Sequence, residues 1–182
     1  SARQFIDEVE LASLHEQGED CLSLNVWVRG HARKNLPVMV YIHGGAYFSG
    51  GSADPLYNGS NFAAAKDVVI VSINYRLNLF GSLLLDCLPG GEDYKDAGYL
   101  VILDQIRALE WVHENISAFG GDPNCVTLFG ESAGSSSQAL LSILPEANKY
   151  FQRAILESGP IQLYKTRERG EYFAREFAEI MG

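Results

Sequence analysis

Apolar residues fall in two spacings along this chain. Short runs rich in β-branched and aromatic residues, LSLNVWV (22–28), PVMVYIH (37–43), VVIVSIN (68–74), VTLFG (126–130) and RAILES (153–158), read as five strands. The middle runs are almost continuously apolar, the pattern of parallel strands buried on both faces. The first alternates, with Leu22, Leu24, Val26 and Val28 on one side and Ser23, Asn25 and Trp27 on the other, which places it near a sheet edge. Between the strands, apolar residues recur every three or four positions. NFAAAKD (61–67) reads as a short helix, and residues 96–118 as a long one whose stripe of Ile102, Ile106, Leu109, Val112 and Ile116 faces the sheet. Another helix opens directly at Ser132 and runs on through QALLSIL; Phe173, Phe177 and Ile180 mark a last amphipathic helix. Strands alternating with helices predict a doubly wound, mostly parallel α/β sheet with helices on both faces. No linker, repeat or low-complexity tract divides residues 1–182, so one domain is expected, with functional groups at the carboxyl ends of its strands.

Composition narrows the partners. With 47% hydrophobic and 20% charged residues in 182 positions, the chain falls in the soluble globular class. Fourteen Lys+Arg against 23 Asp+Glu give a net charge of -9, which disfavours nucleic acid and anionic membrane surfaces. The apolar runs, such as VVIVSI (68–73), fall short of the roughly 20 residues needed to span a bilayer, so no membrane association is expected. The first twenty residues are too charged for a signal peptide. Cys21, Cys87 and Cys125 form an odd set that suits reduced thiols and a cytoplasmic setting better than a disulfide framework. No metal and no cofactor is expected. Two N-x-S tripeptides, Asn58-Gly59-Ser60 and Asn115-Ile116-Ser117, would matter only in a secreted chain.

The chemistry concentrates in LFGESAGSSS (128–137). Gly130, Ser132 and Gly134 form G-x-S-x-G, the pattern of a strand-to-helix elbow that forces a serine hydroxyl out of the top of a sheet. The pentapeptide alone is weak, since a chain this rich in glycine and serine produces one by chance about 0.15 times. Its context is what the chemistry requires: a strand before Ser132, a helix after it, and glycine on both sides where the two backbones pass closely. The helix start supplies unpaired N–H groups, so that of Ala133 can stabilise an oxyanion formed on a substrate attacked by Ser132. A second donor loop lies in YIHGGAYFSGG (41–51), where a buried strand ends in His43-Gly44-Gly45-Ala46. This is the form of the loop that partners such a serine. His43 by itself reads as a hydrogen-bonded structural histidine. Tyr47 and Phe48, directly after the loop, are candidates to line an apolar acyl or alcohol pocket, with a place in the core as the other reading.

These residues resemble the type B carboxylesterases, the cholinesterase and carboxylesterase/lipase family of α/β-hydrolases. FGGDPNCVTLFGESAG (119–134) is similar to the family's serine signature, EDCLSLNVWVR (19–29) to its second signature, and NYRL (74–77), DQIRALEWVHENI (104–116) and ILESGP (155–160) follow in the family's order. The resemblance implies an α/β-hydrolase fold and hydrolysis of small-molecule carboxylic esters through an acyl-enzyme. It makes Ser132 the nucleophile, Gly45, Ala46 and Ala133 the oxyanion donors, and Gly130, Glu131 and Gly134 the support of the elbow, with the triad acid elsewhere than Glu131. A GGA loop of this kind is associated with bulky alcohol esters. Ser23, Tyr99 and Val101 depart from the family pattern at packing positions. No cysteine precedes Cys21 to pair with it, and no tryptophan precedes Trp27, so choline esters are not supported.

One part of the chemistry has no carrier. In α/β-hydrolases the triad runs Ser, then Asp or Glu, then His, yet His15, His31, His43 and His113 all precede Ser132. A serine hydroxyl without a base is a poor nucleophile. The expectation is that the chain is the N-terminal portion of a longer catalytic domain, with a partial sheet, inactive alone. An unfinished sheet further predicts self-association or a complementary C-terminal polypeptide. A non-catalytic adhesion or binding protein is the alternative, opposed by the presence of Ser132 and the GGA loop.

Overall fold

A computed structural model describes residues 17–30, 34–159 and 163–182. Five strands form one sheet: β1 (Leu24–Trp27), β2 (Leu36–Ile42), β3 (Val69–Ile73), β4 (Gly121–Glu131) and β5 (Arg153–Glu157). Their spatial order is β1-β3-β2-β4-β5. β1 runs antiparallel on the edge beside β3, and the other neighbours are parallel. The alternation in the first run thus marks an edge strand, and the continuous runs mark the sheet's interior. β3 is buried at all five positions.

The helices are α1 (Ser60–Ala65), α2 (Asn78–Ser82), α3 (Leu100–Asn115), α4 (Ala133–Ile143), α5 (Pro145–Asn148) and α6 (Arg167–Met181). On one face of the sheet, Val38, Val40, Ile42, Val69, Val71, Ile73, Val126 and Leu128 meet Val101, Ile102, Leu109 and Val112 of α3 and Leu141 of α4 in the main core. Ala63 of α1 covers the other face with Val68 and Ile70, flanked by Trp27 and Met39. The stripe expected to face the sheet does so: Leu109, Val112 and Ile116 are buried and Ile106 packs against them.

The long helix and β4 depart most from their expected bounds. The long helix begins at Leu100 after a 3-10 turn (Ala97–Tyr99) and ends in another (Ile116–Phe119), closed by Gly120 at φ 86°. β4 begins at Gly121, well before the apolar run, because Gly121 pairs with Leu36 across a register shift. The last helix forms as the periodicity predicts, yet Phe173 and Ile180 are exposed and only Ala174 is buried. Arg167 ties its first turn to Asp86 at 2.8 Å.

An ion pair fixes the exit of β3. Asp104, buried in α3, accepts from the backbone N–H of Arg76 (3.0 Å), from Nε (2.8 Å) and from Nη2 (2.6 Å). A buried carboxylate with three donors leaves all three unpaired if removed. Asp104→Ala is expected to lower the free energy of unfolding by about 2–4 kcal/mol, measured by urea denaturation.

Candidate active site

Because β2 and β4 are parallel neighbours, the loop after Ile42 and the turn after Glu131 emerge at the same edge of the sheet. That edge is where the glycine-rich motifs meet. Ser132 sits at the β4–α4 junction with φ 54° and ψ -119°, a strained conformation for a residue with a Cβ. Its N–H donates to the carbonyl of Glu157 at the end of β5 (2.9 Å). The flanking glycines are steric necessities: a Cβ at Gly130 would lie 2.2 Å from the carbonyl oxygen of Ile42, and one at Gly134 only 2.0 Å from it. Gln138 supports the turn from inside α4. In the amide orientation that satisfies both ends, its oxygen accepts from Gly130 N–H (2.9 Å) and its nitrogen donates to Ile155 (3.1 Å).

The second motif faces the serine directly. A Cβ on Gly44 would lie 3.3 Å from Cβ of Ser132 and 3.0 Å from the Glu131 carboxylate, so Glu131 packs beside the loop. Gly45, Ala46 and Tyr47 follow with φ 100°, 56° and 62°, three successive left-handed residues. The loop closes by N–H groups of Phe48 (2.8 Å) and Ser49 (3.0 Å) donating to the carbonyl of Gly45. Among the described residues no acceptor takes the N–H of Gly45, Ala46 or Ala133. Three donors from two segments therefore have no protein acceptor among the described residues.

His43 forms the floor of this loop. Its Nδ1 lies 2.8 Å from the carbonyl of Gly44, an acceptor, which puts the ring proton on Nδ1. Tyr75 stacks on the ring at 4.3 Å between centroids and donates its hydroxyl to the His43 carbonyl at 2.6 Å. Nε2 is buried without a partner. Burial lowers the pKa to about 4, opposed by the Gly44 hydrogen bond and the charge of Asp54. Such a group is neutral through the physiological range and is built as a wall. His113 packs against Tyr150 on the far part of α3 (5.6 Å); His15 and His31 lie outside the described residues. Among the described residues, then, no histidine hydrogen-bonds to Ser132.

Tyr47 and Phe48, grouped in the sequence as candidate pocket residues, diverge. Phe48 is 54% exposed, whereas the Tyr47 hydroxyl points to α4, 3.0 Å from the carbonyl of Ala133 and 3.0 Å from Oγ of Ser137. Tyr164 joins it at 3.3 Å and donates to the carbonyl of Ser136. Ser137 and Tyr164 carried no motif signal in the sequence; a run of serines at a helix start and a lone tyrosine are both too common to stand out. Cys21, Cys87 and Cys125 are free thiols. Among the described residues no group of three or more His, Cys, Asp or Glu could hold a metal ion, and no helix is long and apolar enough to cross a membrane.

The model of the carboxylesterase family matches residues 2–182. This chain belongs to the carboxylesterase family. The family chain is 49% identical over 169 residues to the para-nitrobenzyl esterase of Bacillus subtilis (strain 168), an alignment covering 93% of this chain and 34% of that protein. It is 46% identical over 141 residues to the cholinesterase of Mus musculus, covering 78% of this chain and 23% of that one. Among solved structures, a PNB esterase 43% identical superposes with a TM-score of 0.84 over 97% of this chain and 36% of the other. A carboxylesterase of Geobacillus stearothermophilus, 48% identical, also gives 0.84, over 89% and 34%. The fold of this family member is accordingly the α/β-hydrolase fold, and the chain spans between about a quarter and a third of the length of these relatives.

Two measurements check the geometry of this carboxylesterase-family site. Gly134→Ala, which drives a Cβ against the Ile42 carbonyl, is expected to cost at least about 3 kcal/mol in urea unfolding, against under about 0.5 kcal/mol for Gly18→Ala in open space. The second uses pH. His43 has a folded pKa of about 4, below the unfolded value, so the unfolded state takes up the proton first on acidification. Stability is full above the unfolded pKa and is expected to fall by roughly 2 kcal/mol by pH 5. In His43→Asn that part of the pH dependence disappears.

Proposed function

We propose that this chain carries the nucleophile and oxyanion hole of a serine carboxylesterase acting on small-molecule carboxylic esters. The observation that supports it most is the strained backbone of Ser132 packed against Gly44, next to a loop and a helix start whose N–H groups at Gly45, Ala46 and Ala133 have no acceptor among the described residues. Ser132 Oγ attacks the ester carbonyl carbon, and Gly45, Ala46 and Ala133 stabilise the oxygen anion of the tetrahedral intermediate. Collapse expels the alcohol and leaves an acyl-enzyme, which water cleaves to the acid. Donors held rigidly at the developing charge lower the barrier because no reorganisation is needed at the moment of reaction. Phe48, apolar and exposed beside the loop, lines the acyl or alcohol side of the cleft.

Residues 1–182 are, in this reading, the N-terminal portion of a longer catalytic domain that brings the general base and its orienting acid to Ser132. The neutral, buried state of His43 supports that division. Without the base the chain binds but does not turn over. The edge strand β5, with Ile155 45% and Leu156 51% exposed, is where a second copy or the complementary polypeptide would pair.

The test is Ser132→Ala in the full-length protein. Hydrolysis of a p-nitrophenyl ester is expected to fall by at least about 10⁴-fold, and a fluorophosphonate adduct seen by intact mass to vanish. Unchanged hydrolysis would assign the chemistry to another residue and favour a binding role for this fold.

A further inference from the structure

We propose that the Tyr47 hydroxyl is a strut of the oxyanion hole, a positioning group that holds the Ala46 N–H at fixed spacing from the Ala133 N–H. This rests on the esterase reading above and extends it to a side chain that supplies none of the three donors. The need for a strut comes from strain. Gly45, Ala46 and Tyr47 all lie in the left-handed region, and the two with a Cβ each cost about 1–2 kcal/mol there. Such a loop relaxes unless tertiary contacts hold it. Tyr47 supplies two: its carbonyl accepts the Asn78 N–H at 2.8 Å, and its hydroxyl reaches the first turn of α4.

The proton directions in that contact follow from the partners. Nε2 of Gln105 only donates, and it lies 3.1 Å from Oγ of Ser137 in the buried interior. The Ala133 carbonyl only accepts. Ser137 therefore donates to Tyr47, and Tyr47 donates to Ala133, in one continuous line from α3 through α4 to the donor loop. Tyr164 sits against it at 3.3 Å with its own proton committed to the Ser136 carbonyl. Burial raises the pKa of Tyr47, so it stays a neutral donor at any pH where the protein works.

One side chain thus joins both halves of the hole. Its backbone adjoins Ala46, and its hydroxyl ends on the residue whose N–H is the third donor. Without the hydroxyl the loop is free to leave its left-handed path, and the Ala46 N–H drifts from the developing anion. A misplacement of about 1 Å in a catalytic group costs up to about 10²-fold in rate. Ester binding in the ground state does not need that alignment, so the loss falls on kcat.

The experiment compares Tyr47→Phe, which removes the oxygen atom alone, with the parent full-length protein. With a p-nitrophenyl ester, kcat is expected to fall about 10- to 100-fold while KM stays within about 2-fold. The Ki of a trifluoromethyl ketone, which forms a tetrahedral oxyanion on the serine, is expected to rise by the same factor as kcat falls. A kcat within about 2-fold of the parent, a loss confined to KM, or a Ki that does not move while kcat falls overturns the strut. If Tyr47→Phe does not fold, Ser137→Ala, which removes the donor to Tyr47, is read by the same criteria. Ser132→Ala run alongside separates the two levels: activity surviving there defeats the esterase reading and the strut with it, whereas activity lost there and kept in Tyr47→Phe defeats the strut alone.

Discussion

The carbonyl oxygen of Ile42, the last residue of β2, is packed against the Cα positions of both Gly130 and Gly134. That contact sets the site. It lets β4 and α4 pass β2 at backbone distance, which puts Ser132 against Gly44 and hence against the donor loop that leaves the same strand. Any side chain at either glycine would push the elbow away from β2 and from the loop that leaves it. Parallel pairing of β2 with β4 does the rest, since it brings two carboxyl ends together and aims both turns at one edge.

Four residues with a Cβ around this contact hold left-handed backbone: Ala46, Tyr47, Asn78 and Ser132. Direct hydrogen bonds hold Ser132 to Glu157, Asn78 to Tyr47, and Tyr47 to Ala133 and Ser137, and α3 supports them from behind. Adjacent residues of that helix serve opposite ends of the problem. Asp104 grips Arg76 as the chain leaves β3, while Gln105 reaches Ser137 in α4 and through it Tyr47. Both groups are buried, where hydrogen bonds are stronger and an unmade one is costly. The same helix packs Leu109 and Val112 into the main core, so the polar line is rooted in that core.

Much of this was legible in the sequence because its causes are local. A strand's burial on two faces shows as a continuous apolar run, and an edge strand as alternation; β3 and β1 differ in that way. The elbow was legible because a close backbone crossing demands glycine at fixed offsets from Ser132. What could not be read depends on distant partners. The early start of β4 needs Leu36. The exposure of Phe173 and Ile180 on α6 depends on what lies opposite, which helical periodicity does not record. Tyr47 read as either a pocket or a core residue because an aromatic after a donor loop has two possible directions, and the partner of its hydroxyl, Ala133, lies 86 positions away.

His43 shows why the donors and the base of such a site are separate residues. A donor loop must be rigid, and this one gains rigidity from a buried imidazole clamped by the Gly44 carbonyl and the Tyr75 ring. The burial that stiffens the loop also lowers the ring's pKa to about 4 and commits its proton to Nδ1. A general base for the serine needs the opposite surroundings, partly polar and close to a carboxylate, so that its pKa stays near neutrality. No single histidine meets both demands. In the esterase reading proposed above, a chain that buries this histidine under the donor loop takes the proton acceptor for Ser132 from a different residue.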